Sequence, residues 1–560
     1  MRLPVLLLLL LAPTVLAQPA RLVTPDDWAA HYIERLQRRG HLLELNPTLL
    51  PYREADLRDA LHALDPKNLS PTEQGWVDLL RVRYDGARPD GERHDSGAVQ
   101  LGLHAGAGGL STTNDRLDPL RFLDVSALPE PAPLPEGEPL DVDALPGDER
   151  AARDLARLID PGVQAGPFRF HYSLHLNAWM AYGDFIAQAG GQANSVLNED
   201  PDGLDVVLRR VSRVEDSYVG YGGKRAGLYV GRYAQHWGIP GQTALLLSDN
   251  PRTFDQIGLR LGGERFSLHS TIGELDSVTD DGRFTGRVGE RFLGDTGVRR
   301  YLAAHRFDWR PTKHFGLAFM EAVVYSGPNA SLSPKFFNPA SLFLLLVDNT
   351  PKNDENNGFA AGLIWGQIGK LTLQGQLLLD DLDVLNASEP ASVALAGTAT
   401  LAGVRPWLDL GLEADAVSGR AYNTTQPEGR YLFAQRGLGT QFSDYLRFAV
   451  WGEAYADAFV PGLMVQPRAE VLLQGIRDPR QPYPTDEEAP TFLDGTLERT
   501  LRLATRVRYQ PIPNAWIRAD FGVNLVGNEN NVEGVNRTRF VGIVEAGVSV
   551  QLERIYQMGF

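Results

Sequence analysis

The chain has 560 residues, a formal net charge of −16 and no cysteine. So acidic a total argues against a nucleic-acid partner, whose phosphates need a basic face. Without cysteine there is no disulfide, thiolate metal site, cysteine nucleophile or lipoprotein anchor, and the length admits several domains or one large β structure.

The first residues have the pattern of an export signal: Arg2, then the apolar run Leu3–Ala12, then Val15-Leu16-Ala17 ahead of a mature start at Gln18. That run is shorter than the roughly 20 residues a membrane helix needs, and Leu342–Val347, the best later stretch, is shorter still. Residues 1–17 are therefore expected to be a signal peptide, and 18–92 a small periplasmic helical bundle. Thr24-Pro25-Asp26-Asp27 offers an N-cap, a proline at N1 and early carboxylates, with Trp28, Tyr32 and Leu36 on one face and Gly40 as a stop. A second helix is expected from about Tyr52 to Leu64, before Asp65-Pro66. Ser70-Pro71-Thr72-Glu73 opens a third with a capping box. Three short helices with one apolar stripe each make a packing or tethering unit without chemistry of its own.

From about Gly97 the apolar period becomes two. Phe168, Phe170, Tyr172, Leu174, Leu176, Ala178 and Met180 oppose Arg169, His171, Ser173, His175 and Asn177. Leu501, Leu503, Val507 and Tyr509 oppose Arg502, Arg506 and Arg508, and Ile517, Phe521 and Val523 oppose Arg518, Asp520 and Asn524. An aromatic and aliphatic face set against a charged one, over segments of about ten residues, is the signature of a transmembrane β-barrel. Tight turns at Gly222-Gly223-Lys224, Gly262-Gly263, Pro311-Thr312-Lys313, Gly366–Gly369, Gly403–Pro406 and Pro511–Pro513 alternate with longer connections at 276–297, 327–357, 418–444, 476–495 and 527–536. Assigning the tight turns to the periplasm gives a consistent up-down order. Some seventeen strands are visible, and periplasmic termini require an even number, so one more is expected in 110–165 or 181–209. The fold class is mainly β: a transmembrane antiparallel β-barrel of about 18 strands over 93–560, carrying a mobile proline-rich and acidic insertion at 129–149. The last strand, through Phe540, Val544, Val548, Val550, Leu552, Tyr556 and Met558 to Phe560, resembles the C-terminal assembly signal of bacterial outer-membrane proteins.

No HExxH, GxSxG or Walker A string occurs, so neither an enzyme nor a nucleotide site is expected. Asn198-x-Asp200-x-Asp202-Gly203 resembles the start of a calcium loop, but its twelfth position is Arg209 instead of Glu. No metal or cofactor is expected. Polar-face histidines such as His171 and His175 suit a lumen lining.

With these parts in order, the chain resembles the capsule assembly Wzi family. The resemblance rests on Glu215-Asp216-Ser217-Tyr218, Gly231-Arg232, Trp237-Gly238-Ile239-Pro240-Gly241 and Leu246-Leu247-Ser248-Asp249-Asn250. His305-Arg306-Phe307, Glu321, Tyr325-Ser326-Gly327 and Phe337-Asn338-Pro339 follow. It covers nearly the whole mature chain, weakest at 110–165 and 476–495, and departs at Ile239, where the family often runs directly from Trp-Gly to Pro-Gly. It implies an outer-membrane barrel of about eighteen strands with a periplasmic helical bundle. The implied role is lectin-like, binding capsular or surface polysaccharide and attaching it to the cell.

Sugars are held by flat aromatics and planar polar groups. Tyr233, His236 and Trp237 supply the former, and Arg232, Asp249, Asn250 and Arg252 the latter, with His305, Arg306 and Glu321 on neighbouring strands. An acidic polymer would favour the arginines. The same residues could instead form an inward-folded loop plug on arginine-rich walls. Turn parity puts the tip of Gly231–Asn250 on the external side, as a constriction. Arg232 shares a face with Leu228 and Val230, and a bulge near Gly231 is expected to turn it inward. The alternative function is an outer-membrane channel for small solutes or oligosaccharides. Expected partners are surface polysaccharide, outer-membrane lipid and, through Phe560, the barrel-assembly machinery; a monomer is expected.

Overall fold

The structure, a computed structural model, describes residues 20–84, 98–123, 169–198, 200–203, 213–277, 298–327, 330–343, 355–380, 392–424, 426–457, 459–480 and 490–557. The expected signal peptide, the 129–149 insertion and the terminal Phe560 lie outside them.

Eighteen antiparallel strands close a barrel in chain order. They are β1 (Ala98–Thr112), β2 (Arg169–Tyr182), β3 (Phe185–Asn194), β4, β5 (Ala226–Arg232), β6 (Gln256–Gly262), β7 (Phe266–Glu274), β8 (Arg299–Thr312) and β9 (Phe315–Gly327). There follow β10 (Glu355–Ile368), β11 (Leu371–Asp380), β12 (Ser392–Arg405), β13 (Leu408–Val417), β14 (Tyr445–Tyr455), β15 (Leu463–Gln474), β16 (Glu498–Ile512), β17 (Ala515–Gly527) and β18 (Arg537–Gln557). β4 is interrupted: Arg213–Val214 and Ser217–Gly222 both pair with β3, and the break falls at Glu215-Asp216, where Asp216 has φ 49°. The ladder closes between β18 and β1, from Ile543↔Thr112 to Gln557↔Ala98. The strand expected within 181–209 is β3. It escaped the period-two pattern because its small residues, Ala187, Ala189, Gly190, Gly191 and Ala193, carry little apolar contrast.

Side-chain parity follows the alternation. Phe170, Leu174, Leu176 and Met180 point out and are exposed, as lipid-facing residues are when lipid is not counted, and the polar set between them lines the interior. Among the described residues no helix is long and apolar enough to cross a membrane; the spanning elements are strands.

Helices α1 (Trp28–Arg38), α2 (Glu54–Ala63) and α3 (Pro71–Tyr84) pack around Ile33, Leu36, Leu57, Leu61, Trp76 and Leu80. The start of α1 differs from expectation. Thr24 begins a turn, Asp27 N donating to Thr24 O at 3.1 Å, and Asp27 is the cap, its Oδ1 accepting from Ala29 N at 3.0 Å. A carboxylate one residue before Trp28 can reach the free N–H groups of the first turn, which Thr24 cannot. The bundle docks on the barrel's tight-turn end. Arg35 pairs with Glu453 of β14 at 2.7 Å, Arg39 with Asp409 of β13 at 2.8 Å, and Tyr455 and Met464 join the bundle's core.

The capping box of α3 forms: Ser70 N donates to Glu73 Oε2 at 2.7 Å and Glu73 N to Ser70 Oγ at 3.4 Å. Burial would raise the Glu73 carboxyl, but His41, the Ser70 hydrogen bonds and the Arg39 charge hold it down at about 2. A depressed carboxylate stabilises the fold above its ordinary value of 4.5, and the contribution disappears as pH falls through about 2. Thermal unfolding should therefore show Glu73→Gln below the parent at pH 6, with the two converging toward pH 2. A gap of the same size at both pH values would contradict this.

Candidate functional site in the barrel lumen

The connection between β5 and β6, residues 233–255, folds into the lumen instead of standing above it. A proline and the positive φ of Gly241 (75°) turn the chain back after Trp237. The descending arm meets the segment that follows α1, His236 and Leu50 exchanging backbone hydrogen bonds at 2.9 and 3.2 Å. The wall then satisfies the loop's backbone, as buried amides require. Gln374 Oε1 accepts from Ile239 N and Gln376 Oε1 from Leu245 N, each at 3.1 Å, while Gln376 Nε2 donates to Thr243 O at 2.6 Å. Trp237, Leu245, Leu246 and Leu247 are fully buried against Phe359, Leu363, Trp365 and Leu378 of the wall.

A second inward segment was not singled out from the sequence. Residues 418–424 and 426–444 fold down over the first, and the hydroxyls of Tyr422 and Tyr431 donate to the carbonyls of Leu245 and Leu246, both at 2.7 Å. A run holding Tyr422, Tyr431, Phe433 and Phe442 is too aromatic for a wholly solvated loop, and that was the available signal. The expected external constriction is thus a plug whose far side reaches the bundle.

Of the expected ligand residues, Tyr233, His236 and Trp237 are buried. Tyr233 packs edge-on against Tyr218 and Tyr229. His236 uses both ring nitrogens internally, on Asp249 at 2.9 Å and Ile239 O at 3.1 Å. Trp237 Nε1 donates to Gln235 at 3.2 Å. Asn250 bridges to Gly437 O and Gln441 and accepts from Arg436. Arg252 donates to Leu197 O. Asp249 is exposed, and Asn250 and Arg252 are half-exposed.

Arg232 does not turn inward. The β4–β5 register is unbroken from Ser217↔Arg232 to Gly222↔Gly227, so Arg232 keeps the outward parity of Leu228 and Val230. It lies at the strand's outer end and is held bidentately by Asp255 at 3.0 and 2.7 Å. Near the interface an arginine so neutralised costs far less than at mid-membrane.

His305, Arg306 and Glu321 also separate, because adjacent strand residues face opposite sides. Arg306 points inward and binds Asp308 and Thr48, the latter through the carbonyl and hydroxyl at 2.7 Å each, tying the wall to the segment after α1. His305 and Glu321 point outward as a cross-strand pair at 3.0 Å. The segment 330–343 covers them: Phe343 N donates to Glu321 at 2.9 Å, its ring lies 4.2 Å from that of His305, and Ser270 donates to Phe337 O. The pair is thereby screened from lipid.

The calcium-like string holds arginines. Asp200 binds Arg436, while Asp202 takes Arg480 at 2.9 Å and Arg116 at 3.3 Å. On β13, Glu413 takes Arg447 and Arg468, both at 2.9 Å.

The lumen is asymmetric. Under the plug the inward side chains Trp365, Gln374, Gln376 and Asp415 are buried, whereas on the opposite arc His104, His175, Arg506, Arg518 and Ser549 remain half-exposed.

Residues 160–362 match the family described as capsule assembly protein Wzi. No curated protein matches the chain. Among solved structures, Escherichia coli Wzi, an outer-membrane protein involved in group 1 capsule assembly and a carbohydrate-binding β-barrel, shares 12% identity at a TM-score of 0.59. The similarity covers 95% of this chain and 99% of that one, and at this identity it speaks for the fold. Acinetobacter baumannii OccAB2 is 12% identical over 81% of this chain and 98% of its own, with a TM-score of 0.43.

Proposed function

From a chain matched over residues 160–362 to the capsule assembly Wzi family and closed into an outer-membrane barrel of the same fold, we propose a lectin-like role: binding capsular or surface polysaccharide and attaching it to the cell surface. The observation that carries this reading is the plug. Residues 236–250 are bonded to the wall, to 418–444 and to Leu50, which suits a scaffold holding a ligand better than a path for diffusing solutes. Asp249, Asn250 and Arg252, with solvent access on a rigid support, are the candidate sugar contacts. Tyr233, His236 and Trp237 position that rim and do not touch ligand.

The refolded barrel should bind polysaccharide purified from the source cell, and Asp249→Ala with Arg252→Ala should weaken binding at least tenfold. A strain lacking the protein should shed polymer into the medium with synthesis intact. Unchanged cell-associated polymer would count against attachment. The half-exposed arc favours the channel alternative, and steady conductance in planar bilayers without polymer binding would establish it instead.

A further inference from the structure

The half-exposed arc carries an arrangement that the folded protein leaves unsatisfied. Arg508 of β16 and Arg518 of β17 are register partners on the inward face. Side chains so placed have Cβ atoms about 4.5–5.5 Å apart, and like charges there repel. The neighbouring carboxylates are engaged or distant. Asp520 takes Arg502 at 2.5 Å and Arg506 at 2.9 Å, and Glu453 takes Arg35. Glu545 is cross-strand from Arg518, yet none of its oxygens comes within 4.0 Å of either guanidinium. Among the described residues, neither the Arg508 nor the Arg518 guanidinium makes an ion pair or a hydrogen bond.

An aromatic plate adjoins them. The Arg518 guanidinium lies over the Trp516 ring, 4.6 Å from its centroid. Trp516 rests against Gly547, where an added Cβ would sit 2.6 Å from the ring, so only glycine lets the indole lie on the wall. His175 rests on Gly106 in the same way, at 2.0 Å. From the bundle side, His31 of α1 lies against Gly241 of the plug. Burial, then Arg508 and Arg518, hold its imidazole well below the usual range, so it adds no third charge.

Resting on the polysaccharide-binding reading, we infer a second subsite here, on the periplasmic half of the lumenal wall, for a carboxylate-bearing sugar of an acidic polysaccharide. Two guanidiniums facing each other accept a carboxylate between them with charge-assisted hydrogen bonds. The neighbouring indole face suits the C–H side of the same pyranose. The ligand anion would also relieve the repulsion that the empty wall retains.

The test uses the refolded full-length barrel and trigalacturonate, measured by calorimetry. Trigalacturonate should bind with an affinity that falls as salt rises, and at least tenfold more tightly than maltotriose. Arg508→Gln with Arg518→Gln should weaken it at least tenfold while leaving the thermal midpoint unchanged or higher, since repulsion is removed. Residues kept for folding would lower the midpoint instead. Arg537→Gln, exposed at the start of β18, should change nothing. A double variant that binds trigalacturonate like the parent overturns the subsite, as does equal competition by inorganic phosphate, which would leave a plain anion site. If parent and double variant hold purified surface polysaccharide alike, this subsite falls and the binding function stands. If the parent holds no polysaccharide at all, both fall.

Discussion

Trp237→Ala should destabilise the barrel by about 3–5 kcal/mol, the range for truncating a fully buried aromatic residue. The indole is completely buried, and the chain reverses at the glycines and proline immediately after it. Its backbone N–H bonds Leu247 O at 2.8 Å, so the descending and returning arms of the plug are joined at this residue. Neither arm alone can keep the contacts of Ile239 with Gln374 and of Leu245 with Gln376. The variant should therefore unfold at a lower temperature in detergent and show conductance bursts in planar bilayers that the parent lacks. A variant that melts within about 0.5 kcal/mol of the parent, the range of an inconsequential surface change, would mean that the plug is held without it.

The second large effect is expected at the bundle's dock. Glu453 is buried and receives Arg35 at 2.7 Å, Tyr455 Oη at 2.8 Å and Gln466 Nε2 at 3.1 Å, with Arg38 at 3.7 Å. Glu453→Ala leaves the Arg35 guanidinium buried without its carboxylate, which costs about 3–5 kcal/mol where a buried pair is broken from one side. Arg38 keeps Glu34 and should lose less. Because the loss falls on the contact between α1 and the wall, amide exchange should speed up in α1 to α3 while β16 to β18 stay protected. Glu453→Gln, which still offers an acceptor to Arg35, should fall between the two. Uniform exchange changes over the whole barrel would place the damage in the wall and not at the dock.

These two sites differ in how visible they were in the chain. Trp237 stood out because a strand pattern ends there in Gly-Ile-Pro-Gly, and its inward packing was one of two open arrangements. Glu453 gave no signal: it is one polar residue in a run where the alternation requires polar residues anyway. The same holds for Arg508 and Arg518. Their inward parity followed from Leu503, Val507, Ile517 and Phe521, but their facing each other depends on the register of β16 against β17 across a tight turn with a bulge. His305 and Arg306 show the opposite failure. Adjacent in sequence, they were grouped as one site, and the pleat sends them to opposite sides of the wall.

Local rules were enough for the barrel itself. Lipid selects apolar side chains at every second position, short and long connections must alternate, and helix ends must be capped, so strand number, side assignment and the three helices all follow from nearest-neighbour chemistry. The contents of the lumen do not. Whether a polar loop stands in water or folds inward depends on acceptors more than a hundred residues away, such as Gln374 and Gln376 for the plug and Glu453 for the bundle. A hydrogen bond between segments so far apart leaves no periodicity in either one. The folded barrel made Tyr233, His236 and Trp237 into supports, kept Asp249, Asn250 and Arg252 at the solvent edge, and left one arc of the wall uncovered.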